Sequence, residues 1–201
     1  MRVAERGKSL KKHPQQSADQ QKASEQDQSE QQNERLEVIQ QAMHHAWSNY
    51  RTRAWGKDAL KLISGNSGNS WGGVSCTMID ALDTLWIMGM KEEFNEAKDW
   101  IKDNLTFDTF GNGNSISMFE TIIRDVGGLL GAYAMSHENI FRDKAAELMD
   151  KLLPAYDPAT QLFTSYFNPT SKQKTWPSWQ QYRYEIFPII FIKMNCLISH
   201  L

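Results

Sequence analysis

The chain has 201 residues, which leaves room for one ordinary domain and a tail. Its net charge is −2, from 22 basic and 24 acidic residues, so the composition gives no reason to expect a nucleic acid or an anionic membrane surface as partner. The two cysteines, Cys76 and Cys196, exclude a disulfide scaffold and a cysteine-based zinc site, and their pairing state stays open. No apolar run is long enough to cross a bilayer, so we expect no transmembrane segment in this chain.

Residues 1–35 differ in composition from the rest of the chain. They are rich in Gln, Ser, Glu and Lys and contain almost no large apolar side chains. Such a segment cannot bury enough apolar surface to offset the entropy that ordering costs, so we predict a disordered, stem-like tail. All seven Trp residues lie after residue 35, where we expect a packed core.

Apolar residues recur at helical spacing after this tail. Five helices are predicted, over residues 34–56, 77–89, 91–105, 117–133 and 139–153. Gly56 and Pro154 are typical stop signals for the first and the last of them. After Pro154 we expect a long loop that can hold short strands. Successive helices with short connections pack as antiparallel hairpins, so the predicted fold is all-α, built from helix pairs.

The second predicted helix carries two acidic residues close to its start, Asp80 and Asp83. At i and i+3 they share one face of the helix. In the structural interpretation, Thr77 and Asp80 cap the helix and both carboxylates complement its dipole. In the functional interpretation, the two carboxylates form a polar patch at the mouth of a pocket between helices. The sequence leaves both interpretations open.

Glu120 is the strongest candidate for a catalytic group. Ser117 and Glu120 fit the S-x-x-E capping box, which would give the glutamate a purely structural role. Arg124 lies one helical turn further on, where it can reach Glu120 and bind a hydroxyl-rich ligand beside it. Phe119 and Ile123 would surround Glu120 with apolar groups, and such surroundings favour the protonated form that a general acid needs.

Several blocks of sequence in this order resemble class I α-1,2-mannosidases, glycoside hydrolase family 47. The blocks are MHHAWSNY at 43–50, AWG at 54–56, IDALDTLWIMGM at 79–90, FETIIR at 119–124 and GGLLGAY at 127–133. The resemblance spans roughly residues 42–179. Within the family the chain is more similar to the Golgi processing type than to the degradation-enhancing type.

The resemblance implies a fold, an activity and a location. The fold would be the N-terminal part of an (α/α)7 barrel, over residues 36–179. The activity would be hydrolysis of terminal α-1,2-linked mannose of high-mannose N-glycans with inversion, dependent on calcium. Glu120 matches the general acid of this family, and Arg124 matches an arginine that contacts the substrate. A location in the Golgi or endoplasmic reticulum lumen would follow, with a type II membrane parent.

Other positions depart from the family pattern. The second catalytic carboxylate and the calcium ligands have no match, so we expect no metal-ligand residues in this chain. Asp125 stands where we expect an apolar residue. Residues 180–201 cannot be matched, which suggests an intron read-through, an alternative exon or an error in the gene structure.

These departures leave two hypotheses about function. The first is a mannosidase fragment that is inactive as given. The second is a catalytically dead helical module that binds glycans or a partner, or a truncated gene product without function.

Overall fold

The computed structural model of the protein describes residues 14–158 and 162–176. Residues 180–201, and with them Cys196, lie outside the described residues. The chain divides into two units, of which the first ends at Trp47 and the second begins at Ser48. Among the described residues no helix is both long and apolar enough to cross a membrane.

The first helix, α1, spans Pro14–Ala54 and therefore begins inside the segment that the composition predicts to be disordered. Gln, Glu, Lys and Ala all have high helix propensity, which explains why this polar segment forms a helix. Residues 28–42 are all exposed. The helical spacing of apolar residues predicts that Leu36 and Ile39 face inward, and this prediction is wrong because they are 63% and 53% exposed. The limits proposed for the tail stay a prediction.

The second unit contains the other helices, at nearly the predicted positions. They are α2 Cys76–Ile87, α3 Lys91–Asn104, α4 Met118–Glu120, a π-helical segment Thr121–Val126, α5 Gly127–Ser136 and α6 Asn139–Leu152. Single 3-10 turns form at Phe110–Gly113 and Leu153–Ala155.

Within the described part of this unit, seven two-residue strands form three small antiparallel sheets. Their bounds are β1 Ala59–Leu60, β2 Ser67–Gly68, β3 Ile116–Ser117, β4 Tyr156–Asp157, β5 Leu162–Phe163, β6 Tyr166–Phe167 and β7 Lys174–Thr175. β1 pairs with β2 and β4 with β5, while β6 lies between β3 and β7. The register pairs Ser117 with Tyr166. This sheet fixes the point where α4 begins, because Met118 N donates to Ser165 O over 3.0 Å.

The hydrophobic core lies where α2 and α5 pack together, with α3 against α2 and α6 against α5. The predicted inward residues are buried on each of these helices. They include Met78, Leu82, Leu85, Phe94, Ala97, Ile101, Val126, Leu129, Phe141, Ala145, Leu148 and Leu152. The prediction is wrong at Phe119, which is 39% exposed.

Gly128 allows the close approach of α5 to α2. A Cβ atom at this position would lie 2.8 Å from the carbonyl oxygen of Ile79. We expect Gly128→Ala to lower the free energy of unfolding by about 1–3 kcal/mol, because the two helices must move apart. Thermal or urea unfolding measures the loss.

Gly127 provides the matched control for this prediction. Its added Cβ would lie 3.4 Å from the Ile122 carbonyl oxygen, an ordinary contact. Alanine there should leave stability unchanged or raise it by up to about 1 kcal/mol, because alanine favours a helix over glycine. Equal losses at Gly127 and Gly128 would contradict the helix–helix explanation.

Candidate active site

A pocket of about 440 Å³ opens beside the start of the long helical stretch that begins with α4. It lies between residues 69–72, residues 111–117 and the turn that carries Glu120 and Arg124, and Tyr166 closes one side. The volume is in the range of small-ligand sites in proteins.

Glu120 and Arg124 both line this pocket. Arg124 Nε donates to Glu120 Oε2 over 2.6 Å, and Arg124 Nη1 donates to Asp80 Oδ2 over 3.3 Å. The hydrogen bond that Arg124 donates to Glu120 raises the pKa of the Arg124 guanidinium further above its usual range. The arginine is therefore fixed as a cation between two carboxylates from different helices.

Ser117 caps the helix at the backbone of Glu120, whereas the catalytic role of the Glu120 side chain stays a prediction. Its hydroxyl oxygen accepts from the Glu120 backbone N–H over 3.3 Å, so the serine caps the helix as predicted. The Glu120 carboxylate instead bonds Arg124 and lines the pocket. The backbone of Glu120 therefore has the structural role, and its side chain remains available to a ligand. A π-helical segment follows directly, a rare element that is frequent at functional sites.

Asp80 joins the site through Arg124, whereas Asp83 does not. Asp83 Oδ1 accepts from the hydroxyl of the neighbouring Thr84 over 3.2 Å. The predicted cap by Thr77 and Asp80 is wrong: α2 begins at Cys76, and the Thr77 hydroxyl donates to the Asp58 carbonyl oxygen over 2.5 Å.

Trp71 forms the exposed rim of the pocket. The Arg124 guanidinium carbon lies 5.3 Å from the centre of its ring, within cation–π distance. The ring is 41% exposed and can offer an apolar surface to a ligand. Aromatic rings of this kind suit the apolar face of a sugar.

Asp58 holds the loop that carries Trp71, a role that no motif in the sequence indicates. The residue is 1% exposed. Its Oδ2 accepts from the backbone N–H groups of Trp71 and Gly73, both over 2.8 Å. Its Oδ1 accepts from Val74 over 2.8 Å and from Cys76 over 3.3 Å. One carboxylate thus satisfies four backbone donors and fixes both the rim of the pocket and the start of α2.

Asp125 is a second carboxyl group of the same pocket. It is 1% exposed, and its Oδ1 has no hydrogen-bond partner among the described residues. Burial raises its pKa to about 8, and the charges of Asp58 and Asp80 raise it too, while the Cys76 thiol and Arg124 act in the opposite direction. The carboxyl group is therefore mainly protonated at neutral pH.

Cys76 lies buried beside Asp125 and carries a free thiol. Burial raises the pKa of this thiol far above its usual range, and its hydrogen bond to Asp125 adds to the effect. The thiol therefore stays protonated and unreactive, and acts as a small neutral hydrogen-bond donor.

The described residues do not fit the calcium ion that the family resemblance implies. Within residues 14–158 and 162–176, no three His, Cys, Asp or Glu side chains are grouped so as to hold a metal ion. The carboxylates nearest to Arg124, those of Glu120 and Asp80, both bond that arginine. The roles derived for these residues therefore involve no metal.

Comparison with known proteins decides the family. Residues 42–186 match the model of glycosyl hydrolase family 47, and this range includes residues 180–186, which the sequence motifs left unmatched. The chain belongs to this family. The resemblance that the sequence motifs indicate is thereby confirmed.

Named relatives in this family are mannosidases. The chain is 40% identical over 172 residues to a mannosyl-oligosaccharide 1,2-alpha-mannosidase of Arabidopsis thaliana. The aligned region covers 86% of this chain and 28% of the relative. The chain is also 47% identical over 131 residues to mannosyl-oligosaccharide 1,2-alpha-mannosidase IB of Homo sapiens, and this alignment covers 63% of the chain and 20% of the relative. The chain thus spans between a fifth and a third of the length of these family 47 relatives.

A solved structure supports the fold of this family 47 chain. The α-1,2-mannosidase from Trichoderma reesei superimposes with a TM-score of 0.66 at 24% identity, covering 71% of this chain and 32% of that one. At this identity the likeness shows the fold alone. The predicted mainly helical fold, part of an α/α barrel, is confirmed.

Proposed function

We propose that this chain supplies the acid side of a glycosidase site that hydrolyses terminal α-1,2-linked mannose of high-mannose N-glycans with inversion. The observation that carries the proposal is the Glu120 carboxyl group, which lines the pocket and is held by Arg124 over 2.6 Å. The mannosidase relatives suggest the substrate class. A mannosidase of the endoplasmic reticulum in Rattus norvegicus, 41% identical over 130 residues, supports a location in the secretory pathway, in the Golgi or endoplasmic reticulum lumen.

Glu120 would protonate the glycosidic oxygen as general acid. Arg124 Nε donates to Oε2 of this carboxyl group, so Oε1 is the oxygen that we expect to face the ligand. The guanidinium would orient the sugar through its hydroxyl groups, and the Trp71 ring would cover an apolar face of the sugar. Glu120 and Arg124 would contact the ligand from one helical stretch and Trp71 from a separate loop, so the pocket can orient one mannose unit.

Binding is expected without turnover. An inverting mechanism needs a second carboxylate, about 6.5–9.5 Å from the acid, to activate water. Of the described carboxyl groups that line the pocket, only Asp125 accompanies Glu120, and its pKa of about 8 keeps it mainly protonated at neutral pH. We therefore expect no release of mannose from a Man9-type N-glycan, with or without added calcium. Turnover that Glu120→Gln abolishes would contradict this expectation.

Arg124→Ala tests the binding part of the proposal. We expect the affinity of the chain for α-1,2-mannobiose, measured by calorimetry, to fall at least about tenfold, because hydrogen bonds from a charged donor are lost. Arg142→Ala is the matched control. Arg142 also pairs with a carboxylate, Asp143 over 2.7 Å, and lies near an aromatic ring, but it does not line the pocket.

The second hypothesis is a glycan-binding module without catalysis. It differs from the proposed glycosidase site only in the chemistry after binding. The raised pKa of Asp125 favours it for this chain, because only a small fraction of this carboxyl group is in the ionised form that a general base needs at neutral pH. Equal affinities for wild type, Arg124→Ala and Arg142→Ala would reject both hypotheses at this pocket.

A further inference from the structure

Asp125 is a buried polar side chain. Neither helix formation nor the proposed general acid Glu120 explains its presence. It is 1% exposed and lies in the same helical stretch as Glu120 and Arg124, on the pocket lining. The Cys76 thiol is one hydrogen-bond partner of its carboxyl group. The second oxygen, Oδ1, has no partner among the described residues.

A buried oxygen without a partner is costly, so its presence calls for a group that satisfies it. The groups around Asp125 limit what that group can be. The charges of Asp58, Asp80 and Arg124 and the thiol of Cys76 all lie close enough to act on this carboxyl group. An anion would be repelled by the carboxylates of Asp58 and Asp80. A cation would compete with Arg124 for the carboxylate oxygens. An uncharged donor or acceptor meets neither obstacle.

The position of Asp125 in the pocket indicates which uncharged group can reach it. Trp71 and Tyr166 form the rim and are each 41% exposed, whereas Asp125 is 1% exposed and therefore lies at the inner end. A ligand that stacks on Trp71 and bonds Arg124 would extend its far side towards this inner end. On a sugar, that far side carries hydroxyl groups.

We propose that the Asp125 carboxyl group binds a hydroxyl group of the ligand at the inner end of the pocket, through Oδ1. This inference rests on the proposed function for the identity of the ligand and adds a specificity-determining residue to it. The carboxyl group can accept from the hydroxyl or donate to it, while the Cys76 thiol holds the carboxyl group in place. A compound without a hydroxyl group at that position would leave Oδ1 unsatisfied and bind less well.

Two shape-matched substitutions test the proposal in the full chain. Asp125→Asn keeps a hydrogen-bonding group, and Asp125→Leu keeps the branched shape but removes both polar atoms. We expect Asp125→Leu to weaken the binding of α-1,2-mannobiose about three- to tenfold and Asp125→Asn to change it less than about twofold. Asp103→Leu, at an exposed position outside the pocket, is the control for the same change of side chain. Thermal unfolding confirms that each variant is folded.

The outcomes separate this inference from the proposed function. If α-1,2-mannobiose binds and Asp125→Leu binds it as well as wild type, the proposed function stands and the role of Asp125 is overturned. If the disaccharide does not bind wild type, the proposed function fails, and glycerol decides the role of Asp125. A saturable change in the 13C carboxyl resonance of Asp125 on adding glycerol supports a hydroxyl site, and no response to either compound overturns it.

Discussion

Asp125→Asn is expected to flatten the pH dependence of stability of this protein. The native pKa of Asp125 is about 8 against an ordinary value of 3.8, so folding favours the protonated form. The stability associated with this proton is fully present below pH 3.8 and is lost as the pH rises towards 8. Wild type should therefore lose about 3–4 kcal/mol more than Asp125→Asn between pH 4 and pH 7.

Urea unfolding of both proteins at pH 4, 7 and 9 measures this difference. The groups that face Asp125 are Asp58, Cys76, Asp80 and Arg124, and both proteins retain all four, so their titration largely cancels in the comparison. Asp103→Asn, which changes an exposed carboxylate, serves as control and should follow wild type. Parallel stability curves for wild type and Asp125→Asn would show that Asp125 is charged in the native protein at neutral pH.

Asp58→Ala is expected to be the most destabilising of the single substitutions considered for this protein. It removes the acceptor of four backbone N–H groups around Trp71 and the start of α2 (Cys76–Ile87), in a position that is 1% exposed. Donors left unsatisfied in the interior cost about 1–3 kcal/mol each, and part of the loop can move into water instead. We expect a loss of about 3–5 kcal/mol in the free energy of unfolding.

Two readouts distinguish this role from a general loss of packing. Trp71 is fixed by Asp58, so its fluorescence should report a mobile loop in any Asp58→Ala protein that remains folded. Asp58→Asn retains a single acceptor oxygen and should fall between alanine and wild type. A native-like stability of Asp58→Ala would contradict the role assigned to the carboxylate.

The helices of the second unit could be predicted from the sequence because their signals are local. The i, i+3, i+4 spacing around Leu82, Ile101 and Leu148 repeats over several turns, and each of these residues is buried. The same reasoning failed at Leu36 and Ile39, which show the spacing but are exposed. Periodicity reports what one face of a helix could bury, and it does not show that a partner surface covers that face.

The candidate site could be predicted only where its residues are close in the chain. Glu120 and Arg124 lie one helical turn apart, so their contact follows from helix geometry. Asp58 could not be found in this way, because its backbone partners lie 13 to 18 residues away in an irregular loop. Asp125 was visible only as a departure from an apolar pattern, and its burial beside Cys76 depends on the packing of two helices.

The central claim is that the Glu120 carboxyl group faces a bound mannose. It is tested most directly by following the 13C carboxyl resonance of Glu120 while α-1,2-mannobiose is added to the full chain. We predict a saturable shift whose midpoint equals the dissociation constant from calorimetry and which Arg124→Ala moves to higher concentration. A disaccharide that binds without changing this resonance, or that does not bind at all, would contradict the assignment of this pocket.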